Sequence, residues 1–520
     1  MKVVLVSPWG SARCGLRTYS RFLAGELSKH VELWVVPHYR YALPDRDYAR
    51  WLAWKVNSLK PDIVHVQHEY GVWNPWDPWV FVEFLRRVEA RKVVTMHSTG
   101  FEWEKPISEL ADAVVVHNRF MYETFKGDRG KCFIIPHGCV SGGSKIVSKE
   151  HARRRLGLNP NSYIVGVFGF IDPRKGHDLA LEAYRRLKGV EMVFVGGWHS
   201  ERVTPWVSLV LREAGRLGVR TVGYVDDEKF ELWLQAVDVV LHPSRAVSES
   251  GIVCYALGLG KPVVVSDHPA FQGKPVLKFR TVEELVSLVV KLRDPGFRAR
   301  WETFSRRYGE MFSWSRVAWL HHHLYRFVLT GSLHSLRQLN GVKEAVWQMV
   351  EVEKHGSPDV VRVQRERVEW VKSKIKHPCL DVGSGIGFFG ADVNLDVSAY
   401  RLMLGKLLNP RGEYVVGDAH HLPFRSKAFK QTLLCEVLEH VEEPVKVLRE
   451  AGRVSEETVV TVPDEKPPYM SHMNPEHLRF YSRVTLLETV GKAGLKTVEY
   501  KHITGGKYAW HCLVVCSLKR

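Results

Sequence analysis

Tyr163-Ile-Val-Gly-Val-Phe-Gly-Phe170 is an apolar, β-branched run that ends on Ile171-Asp-Pro-Arg-Lys-Gly176, a turn carrying two cations. A short run of this kind, closed by Gly and Pro, reads as a strand buried on both faces. The segments beyond it decide the fold. Asp178–Leu187 has helical periodicity. Further apolar runs follow at 191–198 (EMVFVGGW), 220–225 (RTVGYV), 237–244 (VDVVLHPS) and 261–267 (KPVVVSD), with a helix over Asp227–Ala236 among them. Strands alternating with helices predict a parallel sheet covered on both faces.

Toward the N-terminus the same alternation appears once before. Val3–Ser7, Glu32–Val36, Ile63–Gln67, Lys92–His97, Ala113–His117 and Phe133–Pro136 are strand-like, and Leu16–Lys29 has helical spacing. Two Rossmann-like units with a cleft between them are expected, over residues 1–155 and 156–330, with a last helix at 314–329 packing back toward the first unit. The polar stretch 331–358 reads as a linker. A charged amphipathic helix over Asp359–Lys376 then opens a third α/β series, 359–520, whose strands begin at Cys379.

Composition agrees with this division. A chain of 520 residues is too long for one hydrophobic core. Its 45% hydrophobic and 25% charged content is that of a folded globular protein and excludes wholesale disorder. The net charge of +17 suits phosphate-bearing partners: nucleic acid, anionic lipid headgroups or phosphorylated small molecules. A solvated basic surface without a partner explains it as well. The eight cysteines form no CxxC pair or zinc-spaced cluster, so they read as reduced and structural, as in a cytoplasmic chain. The N-terminus enters a strand directly and lacks a signal-peptide pattern. No apolar run is long enough to cross a bilayer, so any membrane contact is expected to be peripheral.

In such sheets ligands bind beyond the carboxyl ends of the strands. The first strand leads into the loop Gly10–Gly15, whose backbone N–H groups would suit an anion or hydroxyls, although a plain strand–helix turn has the same composition. Three later strand ends carry His65 and His68, His97, and His137. A neutral imidazole hydrogen-bonds sugar hydroxyls, and a protonated one pairs with phosphate. Arg174 and Lys175 suit a diphosphate, or are a solvated basic loop. Ser250-Gly251 ahead of a helix is a second anion cradle, with Glu249 placed to hold a sugar hydroxyl. Val225-Asp-Asp227 reads as an N-terminal helix turn and not as a metal site, and no metal is expected.

The third series opens on Cys379-Leu-Asp381-Val-Gly383-Ser-Gly385-Ile-Gly387, a strand running into a Gly-x-Gly-x-Gly turn. Alone it suits any nucleotide. Acids at successive strand ends narrow the choice: Asp381, then Asp396 for a ribose, Asp418 with Ala419 for an adenine, and Glu436 on the fourth strand. Each could instead cap a helix, but their order points to an adenosyl ligand. Transfer to a hydroxyl often needs a base. His477 is the candidate, or else it packs on the aromatic pair Phe480–Tyr481.

Residues 1–330 resemble glycosyltransferase family 4, which has the GT-B fold. The resemblance runs through the Gly15 loop, VHVQHEYGVW, TMHST, IIPHG, PRKG, GYVDDEKFELWLQAVDVVLHPS and ESGIVCYALGLGKPVVVSD. It implies a retaining enzyme that takes a sugar from a nucleotide-diphospho-sugar without a metal. Arg174 and Lys175 would hold the diphosphate. His97 would contact the transferred sugar, and Glu249 with the Ser250–Gly251 amides would hold sugar and phosphates. The family's second glutamate, which binds the ribose, falls on Tyr255 when counted back from Gly260.

The last 145 or so residues resemble the small-molecule branch of the class I methyltransferases. LDVGSGIG, GDAHHLPFRSKAF, CEVLEHVEEP and HLRFYSRVTLLETVGKAGLKTVE carry the likeness. It implies S-adenosyl-L-methionine as cofactor, with Asp381, Gly383, Gly385 and Gly387 at its methionine end. Asp396 would lie at the ribose, and Asp418 and Ala419 at the adenine. The segment between Gly387 and Asp396 is short, so the first helix is expected to be truncated.

The sequence thus predicts a bifunctional enzyme that adds a sugar and O-methylates a glycan or glycolipid. Glycan or lipid-linked acceptors and the anionic inner face of the cell membrane are the expected partners. The alternative is a nucleic-acid methyltransferase carrying a degenerate GT-B scaffold. Nucleic acid ranks lower as a partner, because Cys435-Glu436-Val lacks the acid-or-amide, two-proline, aromatic run of amino-methylating enzymes. The run Lys466-Pro-Pro-Tyr469 follows the next strand and lacks the acid.

Overall fold

The computed structural model describes the chain apart from residues 11–13, 39–44, 75, 141–146, 199–202, 333–334, 337–338, 340–341, 343–357, 386, 388, 400, 403–405, 407–411, 465–476, 506–507 and 518–520. The chain divides into two compact units, Met1–Met349 and Val350–Arg520. The expected linker and the Lys466–Tyr469 run fall largely or wholly outside the described residues.

The first unit holds two six-stranded parallel sheets. Strands β1 (Lys2–Ser7), β2 (Glu32–Pro37), β3 (Ile63–His68), β4 (Arg91–Met96), β5 (Ala113–Val116) and β6 (Cys132–Ile134) pair in the order β2-β1-β3-β4-β5-β6. The second sheet takes β7 (Ile164–Phe168), β8 (Glu191–Val195), β9 (Arg220–Val222), β10 (Val239–His242), β11 (Val263–Ser266) and β12 (Leu277–Phe279) in the order β12-β11-β10-β7-β8-β9. The central strands are short, Val-rich and buried on both faces, as parallel pairing under flanking helices requires. Capping fixes where the helices start. Asp226 accepts from the Lys229 amide at 2.8 Å and opens the helix Asp227–Ala236, so the Val225–Asp227 acids are a helix turn.

The helix Trp314–Thr330 lies against the helix Gly15–Leu27 of the first sheet. Trp314 stacks on Phe22, and Tyr325 OH lies 2.6 Å from His65 Nδ1. The buried Asp238 ties the lobes' connecting helix Lys149–Arg155 to the second sheet. It accepts from Arg153 at 2.6 Å, Lys149 at 2.7 Å and the Ile164 amide at 2.8 Å.

The second unit is a seven-stranded sheet of β13 (Cys379–Val382), β14 (Val393–Asp396), β15 (Glu413–Val416), β16 (Phe429–Cys435), β17 (Ser455–Pro463), β18 (Leu495–Gly505) and β19 (Tyr508–Ser517). The order is β15-β14-β13-β16-β17-β19-β18, with β19 antiparallel to both neighbours. The crossover from β13 to β14 spans 383–392 and contains no helix among the described residues. Gly383, Gly385, Gly387 and Gly390 all take left-handed φ, which lets turns replace the helix in so short a connection. The expected truncation is therefore complete in the described residues.

Candidate active sites

In the first unit, the carboxyl ends of β3 to β6 carry His68, His97, His117 and His137, whereas His65, expected at a strand end, lies inside β3 under the helix Trp314–Thr330. Hydrogen bonds link several of them. His65 Nε2 receives Thr95 Oγ1 at 2.7 Å and Gln67 Nε2 at 3.2 Å, so Gln67 Oε1 accepts from His97 Nε2 at 2.9 Å. His117 Nδ1 donates to the Ile135 carbonyl at 3.0 Å. His117 Nε2 lies 3.4 Å from His97 Nδ1, so the two imidazoles meet edge to edge. Burial, and then the neighbouring imidazole of His117, push His97 well below the usual histidine range, so it is neutral at pH 7.

Glu249 is the centre of the opposite wall. Its carboxylate is 4% exposed and pairs at 3.0 Å with Lys274 Nζ, itself 3% exposed. The Ser250 amide donates to it at 2.7 Å and Asn118 Nδ2, from the first lobe, at 3.1 Å. Burial opposes its ionisation, but Lys274 and then His137 outweigh burial and hold the carboxyl below the usual range. Ser250 caps the helix Gly251–Gly258 by accepting from the Val253 amide at 3.3 Å. A side chain at Gly251 would meet His137 Nε2 at 3.1 Å, so the imidazole lies across this helix start.

The Pro173–Gly176 turn faces the same edge. Gly176 takes φ +69° against the Pro243 carbonyl, where no Cβ fits. Arg174 lies against Asp172 at 2.9 Å and feels the charge of Glu69 from the first lobe. Lys175 is partly buried, its charge is felt by His177 and His242, and burial, then Arg174, lower its pKa. Gly15 opens its helix, and Arg17 and Arg21 from that helix both reach Asp227 at 2.7 Å. Tyr255 points elsewhere in this wall: its hydroxyl donates to the carboxylate of Glu231.

In the second unit, Asp381 is 2% exposed and its Oδ2 has no hydrogen-bond partner. Burial, and then the charge of Asp396, push its pKa up to about 8. A side chain at Gly387 would meet Asn394 Oδ1 at 2.9 Å, and one at Gly383 would meet Val437 Cγ2 at 2.6 Å. An orphaned carboxylate oxygen beside a tight glycine turn fits a cationic amino acid moiety. Asp396, the expected ribose ligand, lies beside this turn. It is 3% exposed, and its oxygens accept from the Gly385 amide at 2.9 Å and the Ser398 amide at 2.8 Å, bracing the turn.

Asp418 is half exposed at the end of β15. Burial opposes its ionisation, but the amide (2.9 Å) and Nδ1 (2.7 Å) of His420 outweigh it and lower the pKa. Ala419 packs partly against the core beside it. Glu436 sits at the end of β16 with φ +59°, a conformation that costs a non-glycine residue about 1–3 kcal/mol. Its carboxylate contacts Arg367 at 3.3 Å, Trp510 Nε1 at 3.2 Å and Thr461 Oγ1 at 3.4 Å, which turns it toward the helix Pro358–Lys374. The His477 ring stands edge-on to His440 with centroids 4.7 Å apart, and Glu439 lies in the same cluster.

Asn118 and Lys274 gave no signal in the sequence. An asparagine before a helix reads as a cap, and a lysine after glycine reads as solvated. Lys274 reaches Glu249 from a loop of the same lobe, and the meeting of the two lobes brings Asn118 to it.

Facing parallel sheets with a charged and imidazole-lined edge define the first unit as a GT-B fold. HepE of Anabaena, solved in complex with UDP and glucose, superposes with a TM-score of 0.51 at 15% identity, over 63% of this chain and 99% of that one. Sucrose-phosphate synthase of Thermosynechococcus elongatus gives 0.52 at 19% identity, over 64% and 100%. Residues 162–293 match the family model of glycosyl transferases group 1, and residues 380–458 match a methyltransferase domain. The chain therefore carries a glycosyltransferase group 1 domain and a methyltransferase domain in one polypeptide. Curated relatives are D-inositol 3-phosphate glycosyltransferases. That of Segniliparus rotundus is 28% identical over 27% of this chain and 33% of its own length, and that of Jonesia denitrificans is 24% identical over 38% and 52%. The chain thus spans about a third to a half of the length of these relatives. Among the described residues no helix is long and apolar enough to cross a membrane.

Proposed function

We propose that the chain is bifunctional: it transfers a sugar with retention from a nucleotide-diphospho-sugar to a glycan or lipid-linked acceptor, and O-methylates a glycan or glycolipid hydroxyl with S-adenosyl-L-methionine. The carrying observation for sugar transfer is the buried Glu249–Lys274 pair facing the neutral histidines across the lobes. Ionised Glu249 accepts from a sugar hydroxyl, and His97 with His117 offers acceptors to another. Arg174 and Lys175 take the charge that grows on the leaving diphosphate. Glu231 supplies a carboxylate beside Tyr255, where the family's ribose glutamate is missing, which favours an active site over a degenerate scaffold.

For methyl transfer, the orphaned Asp381 Oδ2 carries the reading. Asp381 takes the cofactor's ammonium group, the Gly383–Gly387 turn its carboxylate, and Asp418 with Ala419 its adenine. The cofactor supplies an electrophilic methyl group on sulfur. Asp396 acts by holding the turn, and His477 takes the proton from the acceptor hydroxyl. The division into 1–155, 156–330 and 359–520 assigns acceptor, donor and methyl transfer in that order. The charge of +17 suits work at an anionic cytoplasmic membrane face. Calorimetric titration of the full chain with a panel of nucleotide sugars tests the first half; absence of binding by all of them refutes it. Titration with S-adenosyl-L-methionine tests the second in the same way.

A further inference from the structure

Asp464 at the end of β17, His502 on β18 and His511 on β19 bring one carboxylate oxygen and two imidazole nitrogens within 4.8 Å of one another. Sequence spacing hides them, because the sheet alone makes them neighbours. His502 and His511 are directly paired across the antiparallel ladder and so share a face. The Asp464 amide donates to the Ala509 carbonyl at 2.9 Å, which pins Asp464 beside that pair.

The distances suit ligation. His502 Nε2 and His511 Nε2 lie 3.0 Å and 3.3 Å from the same oxygen, Asp464 Oδ2. Bonds of about 2.0–2.1 Å to a metal place adjacent ligand atoms about 2.9–3.4 Å apart. His511 is 3% exposed, yet among the described residues its Nε2 makes no hydrogen bond. Its other nitrogen, Nδ1, lies 2.9 Å from Tyr500 OH, whose ring is covered by Arg483 at 4.7 Å. That is the outer hydrogen bond by which a ligating histidine is oriented. His502 is partly exposed.

We propose that Asp464, His502 and His511 form a binding site for a divalent transition-metal ion of the Zn2+, Co2+ or Fe2+ class. Two imidazoles and one carboxylate select such an ion over Mg2+ or Ca2+ and leave positions open for a hydroxyl-bearing ligand. The site lies at the carboxyl edge of the parallel strands, where an ion polarises an acceptor hydroxyl. That role, unlike the binding, rests on the methyl-transfer reading.

The test titrates the metal-stripped full chain with Co2+, following its visible d–d absorption, and then displaces it with Zn2+. One Co2+ per chain is expected to bind with an imidazole-ligated spectrum. His502→Ala and His511→Ala should abolish the spectrum, and Tyr500→Phe should weaken binding about tenfold. Circular dichroism verifies that each variant is folded. His502 is partly exposed, so its variant keeps the test decisive if His511→Ala unfolds. Absence of saturable binding overturns the proposal. So does a spectrum that survives His502→Ala but disappears in His477→Ala, which moves the ion to the Glu439–His440–His477 cluster. Metal stoichiometry is read without turnover, so its failure is distinct from failure of methyl transfer.

Discussion

Replacing Lys274 by methionine removes the cation from a pair whose side chains are 3% and 4% exposed, at a separation of 3.0 Å. Glu249 would keep its hydrogen bonds from the Ser250 amide, Asn118 and the Cys254 thiol. Leaving one member of a buried pair alone costs about 3–5 kcal/mol. Glu249 has one escape, which is to take a proton. At pH 7, against an ordinary glutamate near 4.3, that costs about 3.7 kcal/mol, and this caps the loss. Lys274→Met should therefore destabilise the first unit by about 3–4 kcal/mol, a large share of a typical domain's stability. Glu249→Gln in the same chain should recover much of it, since the uncompensated charge is gone. The assay is urea unfolding of the full chain across the four members of the cycle, read at the transition of the first unit. The sign with pH is fixed by the lowered Glu249 pKa: the pair's contribution is present above the unfolded glutamate pKa and is lost as pH falls through the lower folded one. A loss below about 1 kcal/mol, or a double variant no more stable than Lys274→Met, refutes the reasoning.

Three further outcomes follow from the same geometry. Asp381 has a folded pKa of about 8 against an ordinary aspartate near 3.9, so the cofactor-free protein loses stability as pH rises between those values. Asp381→Asn should raise the melting temperature of the cofactor-free chain at pH 7 while abolishing S-adenosyl-L-methionine binding by calorimetry. An unchanged affinity contradicts the ammonium role. His97 is neutral throughout the physiological range, so kcat/KM for sugar transfer should show no titration of this residue between about pH 5 and 8, whereas His97→Ala should lower it. A wild-type inflection near pH 6.5 that disappears in His97→Ala contradicts this. Lys175→Ala should raise KM for the nucleotide sugar by about 10- to 100-fold, the worth of one charge-assisted contact, and an unchanged KM removes Lys175 from the diphosphate.

Most of the architecture was legible because the strands of a parallel sheet are buried on both faces and announce themselves as apolar runs. The helix Asp227–Ala236 was readable to its ends, since Asp226 and the acids after it mark an N-terminus. Strand β12 escaped because three residues, Leu277–Phe279, carry no periodicity. At the candidate sites, His97, Arg174, Lys175, Glu249 and Asp381 could be singled out from the sequence, because each lies on or after a strand-like run. Their partners could not. Lys274 reaches Glu249 from a loop 25 residues on, and Asn118 reaches it from the other lobe. The amides that donate to Asp396 were not legible, because which hydrogen bonds a carboxylate makes depends on how tightly the glycine turn closes over it.

The central claim is that one polypeptide performs two transfers on related glycans. The most direct measurement incubates the full chain with a panel of nucleotide sugars, glycan and lipid-linked acceptors, and methyl-labelled S-adenosyl-L-methionine, and follows both sugar and label into product. One nucleotide-diphospho-sugar should be consumed, and the methyl label should appear on a glycan hydroxyl. Label entering only nucleic acid, with every nucleotide sugar left intact, would contradict that claim.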